Sequence, residues 1–376
     1  MIICHIIVGL NIGGAELMLK RLIDSLKMDP RIKRQIVISL TTIGPVGQEL
    51  QASGVEVYEL NIQSFNTSLL GVWTLYKMIR VIRPDIIQTW MYHADLLGGV
   101  IGRLAGCKNI VWGIRNTDIS IGASPATIKI RWVCAKWSRC IPRMIFCVAE
   151  EARRAHVQLG YVSEKMVVIP NGFDFSAFEV SSADIERLKT TYGIQAGDVV
   201  IGSIARFNLG KDPYNYVQAA GLIAAKIPNA WFLMVGRNCD YRNHQLTTWI
   251  ESTGFSERFI LLGERKDVPV CLALMDVFCL SSITEGFPNV LGEAMFMQKL
   301  CVTTDAGDAA FLLGNCGVVV PKRNSRKLAD GVLQLLALSD AEREKIGSCA
   351  SKRVITEFSI ETIKEYFVSF YCQLVA

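Results

Sequence analysis

Short apolar runs alternate along the chain with longer segments whose apolar residues recur every three or four positions. The first run, IICHIIV at 2–8, reads as a buried strand, and runs at 35–40, 55–60, 85–89, 144–148 and 166–169 repeat it. Helical spacing fills 69–82, 90–106 and the segment from 150. A second series begins at 199, with strands at 231–235, 259–262, 276–282 and from 300, and ends in helical segments at 325–338, 339–358 and 360–374. Strands alternating with helices predict an α/β protein built on parallel sheets. Between the two series lies Pro170-Asn171-Gly172-Phe173-Asp174, turn formers without apolar periodicity and hence a linker. The expected organisation is a first domain over 1–170, a second over 171–358 and a terminal helix over 359–376. The apolar face of Ile363, Tyr366, Phe367 and Phe370 suits docking on the first domain and equally a local bundle.

The stretch 281–297, SSITEGFPNVLGEAMFM, carries the densest chemistry. Val290, Leu291, Ala294 and Met295 form one apolar face of a helix, with Pro288 suited to its first turn. Glu285 and Gly286 lie in the loop before it, and Glu293 sits a turn past Asn289, off the apolar face. Backbone N–H groups at a helix start lack intrahelical partners and suit an anion. Carboxylates beside them suit sugar hydroxyls, so the pattern fits a phosphorylated, hydroxyl-rich ligand; an ordinary capped helix with a solvated Glu is the plain alternative. In VVIGSIARFNLGKD, 199–212, Arg206 and Lys211 flank a helix start, as two cations would that neutralise a diphosphate, or as common surface charges. Gly13 and Gly14 follow the first strand, but the spacing is not G-x-G-x-x-G and predicts no dinucleotide site. His93 falls just past the strand at 85–89, where open α/β sheets bind ligands, or serves as a structural cap. Asp95 and Arg115-Asn116-Thr117 either line the same cleft or are helix-start and turn residues.

With 376 residues, 51% hydrophobic and 20% charged, the chain suggests two or three globular domains. No stretch approaches the ~18–20 apolar residues of a membrane span. The start lacks a basic n-region, so it reads as a strand rather than a signal peptide. Twelve cysteines with no C-x-x-C pair and no metal-like cluster predict small buried thiols in a reduced, cytoplasmic setting, without a disulfide framework. Residues 1–160 hold 19 Lys and Arg against 11 Asp and Glu, and the remainder 21 against 24, so an anionic partner should meet the first half. Segment 124–145 interleaves Lys129, Arg131, Lys136, Arg139 and Arg143 with Ile130, Trp132, Val133 and Trp137. It is either an amphipathic core helix with a basic outer face or a peripheral contact with an anionic membrane surface.

EGFPNVLGEAM, followed by LCVTTDAGD, resembles the signature of the retaining glycosyltransferases of family 4, which have the GT-B fold. GGAE after the first strand, IPNGFD at the linker and Arg206 with Lys211 match the family in order, so the resemblance covers nearly the whole chain. It implies two Rossmann-like domains facing each other across a cleft, with the last helix crossing back onto the first. It also implies a nucleotide-diphosphate sugar donor, with UDP the usual nucleotide, and no metal cofactor. Carried over residue by residue, Arg206 and Lys211 hold the pyrophosphate, Glu285 meets the sugar hydroxyls and Glu293 the ribose. Amides near Phe287 to Val290 give dipolar support, and Gly286, Phe287, Pro288, Asn289 and Val290 line the donor. Gly13 and Gly14 face the donor, and His93 contacts sugar or acceptor. The loops at Gly236-Arg237 and Gly263-Glu264-Arg265 hold the nucleoside, and Gly307-Asp308 stands where the family has a glycine-rich turn. The acceptor implied by analogy with relatives is a lipid-linked saccharide, polyprenyl-diphosphate-borne, in surface polysaccharide assembly; no nucleic-acid partner is expected. A nucleotide-sugar epimerase of the same fold and a non-catalytic nucleotide-sugar-binding subunit are the alternatives.

Overall fold

The structure is a computed structural model that describes residues 1–62, 65–117, 124–176 and 178–376. It divides into two units, Met1–Gly172 with Phe358–Ala376, and Phe173–Glu357. The first is organised on β1 (Ile2–Ile7), β2 (Arg34–Ser39), β3 (Glu56–Glu59), β4 (Ile86–Trp90), β5 (Ile110–Ile114), β6 (Met144–Cys147) and β7 (Met166–Val168), in the order β3-β2-β1-β4-β5-β6-β7. The second uses β8 (Val199–Ile204), β9 (Ala230–Val235), β10 (Phe259–Gly263), β11 (Val277–Leu280), β12 (Leu300–Thr304) and β13 (Val318–Val320), in the order β10-β9-β8-β11-β12-β13. Adjacent strands pair parallel in both sheets. This is the doubly wound α/β architecture that the alternation predicts.

Both sheets reverse strand order once, between β1 and β4 in the first unit and between β8 and β11 in the second. Loops leaving those strands diverge and open a crevice at their carboxyl ends. Gly13 and Gly14 follow β1, His93 follows β4, Arg206 and Lys211 follow β8, and Glu285 follows β11. Each candidate therefore stands beside a switch point of its own sheet.

Each unit has its own core. Ile3, Ile7, Leu19, Val37, Trp90 and Phe146 anchor the first, and the helix Ile360–Val375 joins them through Ile363, Phe367, Tyr371 and Leu374. Phe146 meets Phe367 edge-on at 5.4 Å between centroids, Tyr371 hydrogen-bonds Gln88, and Arg31 pairs with Glu365 at 2.8 Å. The last helix thus completes the first unit, though its sequence alone equally suited a local bundle. Val217, Phe232, Phe259, Val277, Val302 and Val332 centre the second core.

The cysteine expectation needs one correction: Cys316 and Cys349 form a disulfide. The fold brings their Cα atoms to 5.7 Å, a bridgeable distance that a 33-residue separation does not reveal. Ten other cysteines are free thiols, most of them buried. Among the described residues no helix is long and apolar enough to cross a membrane.

Candidate functional site

In the second unit the loop after β8 and the loop after β11 are sewn together. Ile283 N donates to Gly210 O at 2.8 Å, and Ser281 Oγ donates to Lys211 O at 2.9 Å. A single 3₁₀ turn, Leu209–Lys211, is capped by Asn208, whose Oδ1 accepts from Lys211 N at 3.0 Å. These contacts aim Lys211 Nζ at Glu285, 2.6 Å from Oε1. Ser282 Oγ donates to the same oxygen at 2.6 Å. Glu285 is buried, with 7% of its side chain exposed, so its charge rests on a lysine and a hydroxyl rather than on water.

The helix after this loop is Asn289–Phe296. It starts one residue later than the sequence suggests: Pro288 is the N-cap, at φ −75° and ψ 105°, and its own side chain makes no cap hydrogen bond. The positive end of the helix dipole thus abuts Glu285 and Gly286. Phe287 and Pro288 are buried, with Phe287 6.2 Å from Phe173 between ring centroids, while Asn289, Val290 and Glu293 are half-buried. Gly307, at φ +57°, lies against the same loop. A Cβ there would come within 2.6 Å of Gly286 O, and Asp308 N donates to that oxygen at 3.0 Å. Only glycine permits both the left-handed backbone and the close approach.

Arg206 is exposed and makes no ion pair among the described residues. The structure therefore brings Lys211 to Glu285 but gives Arg206 no carboxylate. Gly236, at φ +139°, leaves β9 with its N donating to Gly263 O at 2.7 Å; a Cβ would run into the Ala205 carbonyl. Arg237 pairs loosely with Glu264, at 3.4 Å. Arg265 is held by Asp267 through two bonds of 2.8 and 2.5 Å, which raise the pKa of the guanidinium. This pair orients the guanidinium within its own loop and leaves Nη1 outside the Asp267 contact. A polar cavity of ≈ 340 Å³ beside these loops is lined by Phe207, Asn238, Asp240, Arg242 and Asn243.

In the first unit Gly13 is the N-cap of the helix Gly14–Leu26. The Glu16 carboxylate folds back against Gly13 where a Cβ would otherwise stand. His93 is the second residue of the helix Tyr92–Leu104, launched from Met91 at φ +73°, and burial lowers its pKa. Lowering favours the neutral imidazole, which can accept as well as donate a hydrogen bond.

Asp95 does not line a cleft. It is fully buried, with Oδ1 2.5 Å from Thr89 Oγ1 and accepting from Gly113 N at 3.2 Å. Desolvation pushes its pKa up to about 8. Thr89 Oγ1 also lies 3.2 Å from Val111 O. Thr89 Oγ1 and Gly113 N both donate to Oδ1, while Oδ2 is buried with no hydrogen-bond partner among the described residues, which favours the neutral carboxyl. The folded pKa stands above the unfolded value of about 3.9. Between those two values the folded state holds a proton that the unfolded state lacks, so stability falls as pH rises, by about 1.4 kcal/mol per unit, and levels off above the folded pKa. Asp95→Asn is expected to remove that slope, checked by urea unfolding at pH 5, 7 and 9; an unchanged slope would contradict the assignment. Arg115 is also interior: it hydrogen-bonds Asn171 and stacks 5.2 Å from the Trp90 ring centroid, and burial lowers its pKa to about 10. Thr117 is buried and Asn116 half-buried.

Segment 124–145 forms a helix, Pro125–Trp137, capped by Ser124, with Cys134 and Ala135 as its buried residues. Trp132 is exposed and Lys136 lies over its ring at 3.7 Å. Ile130, Val133 and Trp137 turn towards a cavity shared with His93.

Several supporting residues carried no sequence signal of their own. Ser282, Asn208 and Asn171 act by holding Glu285, Lys211 and Arg115, and only the folded loops show it.

Comparison with known proteins gives a consistent answer. A family profile described as Glycosyltransferase Family 4 matches residues 12–177, and one described as Glycosyl transferases group 1 matches residues 198–338. The chain is 26% identical over 246 residues to the Escherichia coli UDP-Gal:alpha-D-GlcNAc-diphosphoundecaprenol alpha-1,3-galactosyltransferase, covering 64% of this chain and 63% of that one. It is 25% identical over 298 residues to the Salmonella typhi Vi polysaccharide biosynthesis protein VipC/TviE, covering 76% of this chain and 50% of that one. The matches thus span less than two thirds of either relative's own length. Anabaena HepE, solved in complex with UDP, superposes with a TM-score of 0.85 at 22% identity, over 99% of this chain and 100% of that one. With both family profiles in chain order and two parallel sheets of matching architecture, the chain belongs to glycosyltransferase family 4 and has the GT-B fold.

Proposed function

We propose that the chain is a retaining, metal-independent glycosyltransferase that moves a sugar from a UDP donor to a polyprenyl-diphosphate-linked saccharide in surface polysaccharide assembly. The observation that carries this reading is the Lys211–Glu285 pair, fixed at 2.6 Å beside a helix N-terminus at a sheet switch point. A cation and a helix dipole suit a departing diphosphate, and a buried carboxylate beside them suits sugar hydroxyls. The UDP donor draws support from HepE, solved with UDP and with UDP-glucose, and from the name of the Escherichia coli relative. That name also supports a lipid-diphosphate acceptor, and the Salmonella relative supports polysaccharide assembly.

In this reading the bond between the sugar's anomeric carbon and the β-phosphate oxygen breaks, with the electron pair leaving on UDP. Lys211, Arg206 and the amides from Gly286 to Val290 (Pro288 excepted, having no N–H) take up that charge, which is the work a metal ion does elsewhere. The acceptor hydroxyl attacks the same face, and its proton passes to the departing phosphate oxygen. Configuration is retained without a protein nucleophile. Glu285 orients the sugar, Glu293 the ribose, and His93 is assigned to sugar or acceptor.

The test is transfer from UDP-sugars to a set of prenyl-diphosphate-linked saccharides with a chelator present, with the product anomer assigned by NMR. Product of retained configuration supports the proposal. Donor epimerised without acceptor would favour an epimerase, and tight donor binding with no turnover a binding subunit. The exposed Lys129, Lys136 and Arg139 further suggest peripheral attachment to an anionic inner membrane face. Removing the charges of Lys129, Arg131, Lys136 and Arg139 is expected to weaken sedimentation with anionic vesicles; equal binding would remove this part of the proposal.

A further inference from the structure

The first unit contains an apolar cavity of ≈ 460 Å³ that the donor chemistry does not use. Two helices wall it with matching stripes. From Tyr92–Leu104 come His93, Leu96, Leu97 and Val100, and from Pro125–Trp137 come Ile130, Val133 and Trp137. Spacings of three, four and seven place each set on one helical face, a pattern that ordinarily closes into core. Among the described residues it does not close here. The opposite face of the first helix carries Gly98, Gly99 and Gly102, which let it sink onto the sheet: added Cβ atoms would touch Ile6, Trp112 and Ile87. Leu96, Leu97, Val100, Ile130 and Val133 stay half-buried, and Trp137 is 42% exposed. Val8, Leu40, Thr41 and Ile62 form the rest of the lining, from the loops that follow β1, β2 and β3.

The surrounding charge is one-sided. Residues 119–149 hold five Lys and Arg and no Asp or Glu. Among the described residues the side chains of Lys129, Arg131, Lys136 and Arg139 enter no ion pair, although much of the remaining surface charge is paired. An apolar cavity walled by a helix that also carries the cations Lys129, Arg131 and Lys136 complements a ligand with an apolar chain and an anionic head.

We infer that this cavity holds the first isoprene units of a polyprenyl diphosphate, with the diphosphate on the basic face of the helix Pro125–Trp137. The inference rests on the lipid-linked acceptor reading and adds where the lipid sits. The cavity's volume is that of a small-molecule site. It therefore takes the chain next to the diphosphate, while the remainder of the tail stays in the membrane.

The probe is farnesyl diphosphate, titrated calorimetrically into the whole chain beside inorganic diphosphate. Farnesyl diphosphate is expected to bind at least about tenfold more tightly than diphosphate, a gain of about 1.4 kcal/mol from burying prenyl surface. Val133→Trp, which fills the cavity, and Leu97→Asp, which makes it polar, should each erase that difference and leave diphosphate binding unchanged. Both positions are half-buried, and thermal melts check that the variants fold. Equal affinity of the two ligands for the natural chain, or a preference that survives in a folded variant, overturns the inference. Transfer to a lipid-linked saccharide separates the two readings. If transfer fails while the cavity-dependent preference holds, the acceptor assignment fails and the prenyl site stands. If transfer proceeds with no such preference, the reverse is true.

Discussion

Lys211→Ala is expected to lower the rate of sugar transfer by about 10²–10³-fold, the usual cost of losing one preorganised charge-stabilising group. Lys211 acts twice in this site. It faces the position assigned to the departing diphosphate, and it is the cation that holds the buried Glu285 carboxylate. Ser282 alone would then satisfy Glu285 Oε1. A buried acceptor that loses its charged partner costs about 1–3 kcal/mol, so the variant should also melt earlier while remaining folded. Glu285→Gln separates charge from shape. It keeps an oxygen for Ser282 and the side-chain volume but loses the ionic partner of Lys211. A comparable loss of rate is expected, with little change in circular dichroism. A near natural rate in either folded variant removes that residue from the site.

Phe367→Ala is expected to destabilise the first unit strongly. The side chain is fully buried in the helix Ile360–Val375, against Phe146 and within reach of Tyr371 at 6.2 Å between centroids. Truncating a buried Phe costs about 3–5 kcal/mol, partly from transfer and partly from the cavity left behind. The second unit has a separate core, so UDP-sugar binding, assigned to that unit, should survive conditions under which the first unit loosens. Limited proteolysis alongside a donor titration checks both. Loss of donor binding in step with the first unit would contradict the assignment of the donor to the second.

Much of this molecule is written locally. Parallel strands buried on both faces read as continuous apolar runs, so β1, β4, β8, β11 and β12 are visible at once. Ligand crevices in such sheets form at strand carboxyl ends, so His93, Arg206, Lys211 and Glu285 could be placed beside a site from their position after a run. The remainder depends on partners distant in sequence. Asp95 looks like a cleft residue because it follows β4, but Thr89 and Gly113 draw it inside. Arg115 reads as a cleft-lining or turn residue until Asn171 and Trp90 enclose it. Arg265 pairs with Asp267, two residues on, through Nε and Nη2, a partner visible only in the folded loop. Cys316, just before β13, and Cys349, on the helix Asp340–Phe358, reveal their pairing only once the fold brings them together. The basic helix at Pro125–Trp137 left core and membrane readings open, and its half-exposed apolar stripe belongs fully to neither.

The central claim is that the second unit binds a UDP-sugar through Lys211, Glu285 and the start of the helix Asn289–Phe296. Its most direct test is thermal stabilisation of the chain by UDP-, GDP- and ADP-sugars in the presence of a chelator. A ligand at 100 times its dissociation constant adds about 2.7 kcal/mol, an easily resolved shift. The account predicts stabilisation by UDP-sugars alone, lost in Lys211→Ala. No stabilisation by any nucleotide sugar, or an equal shift in the folded variant, would contradict it.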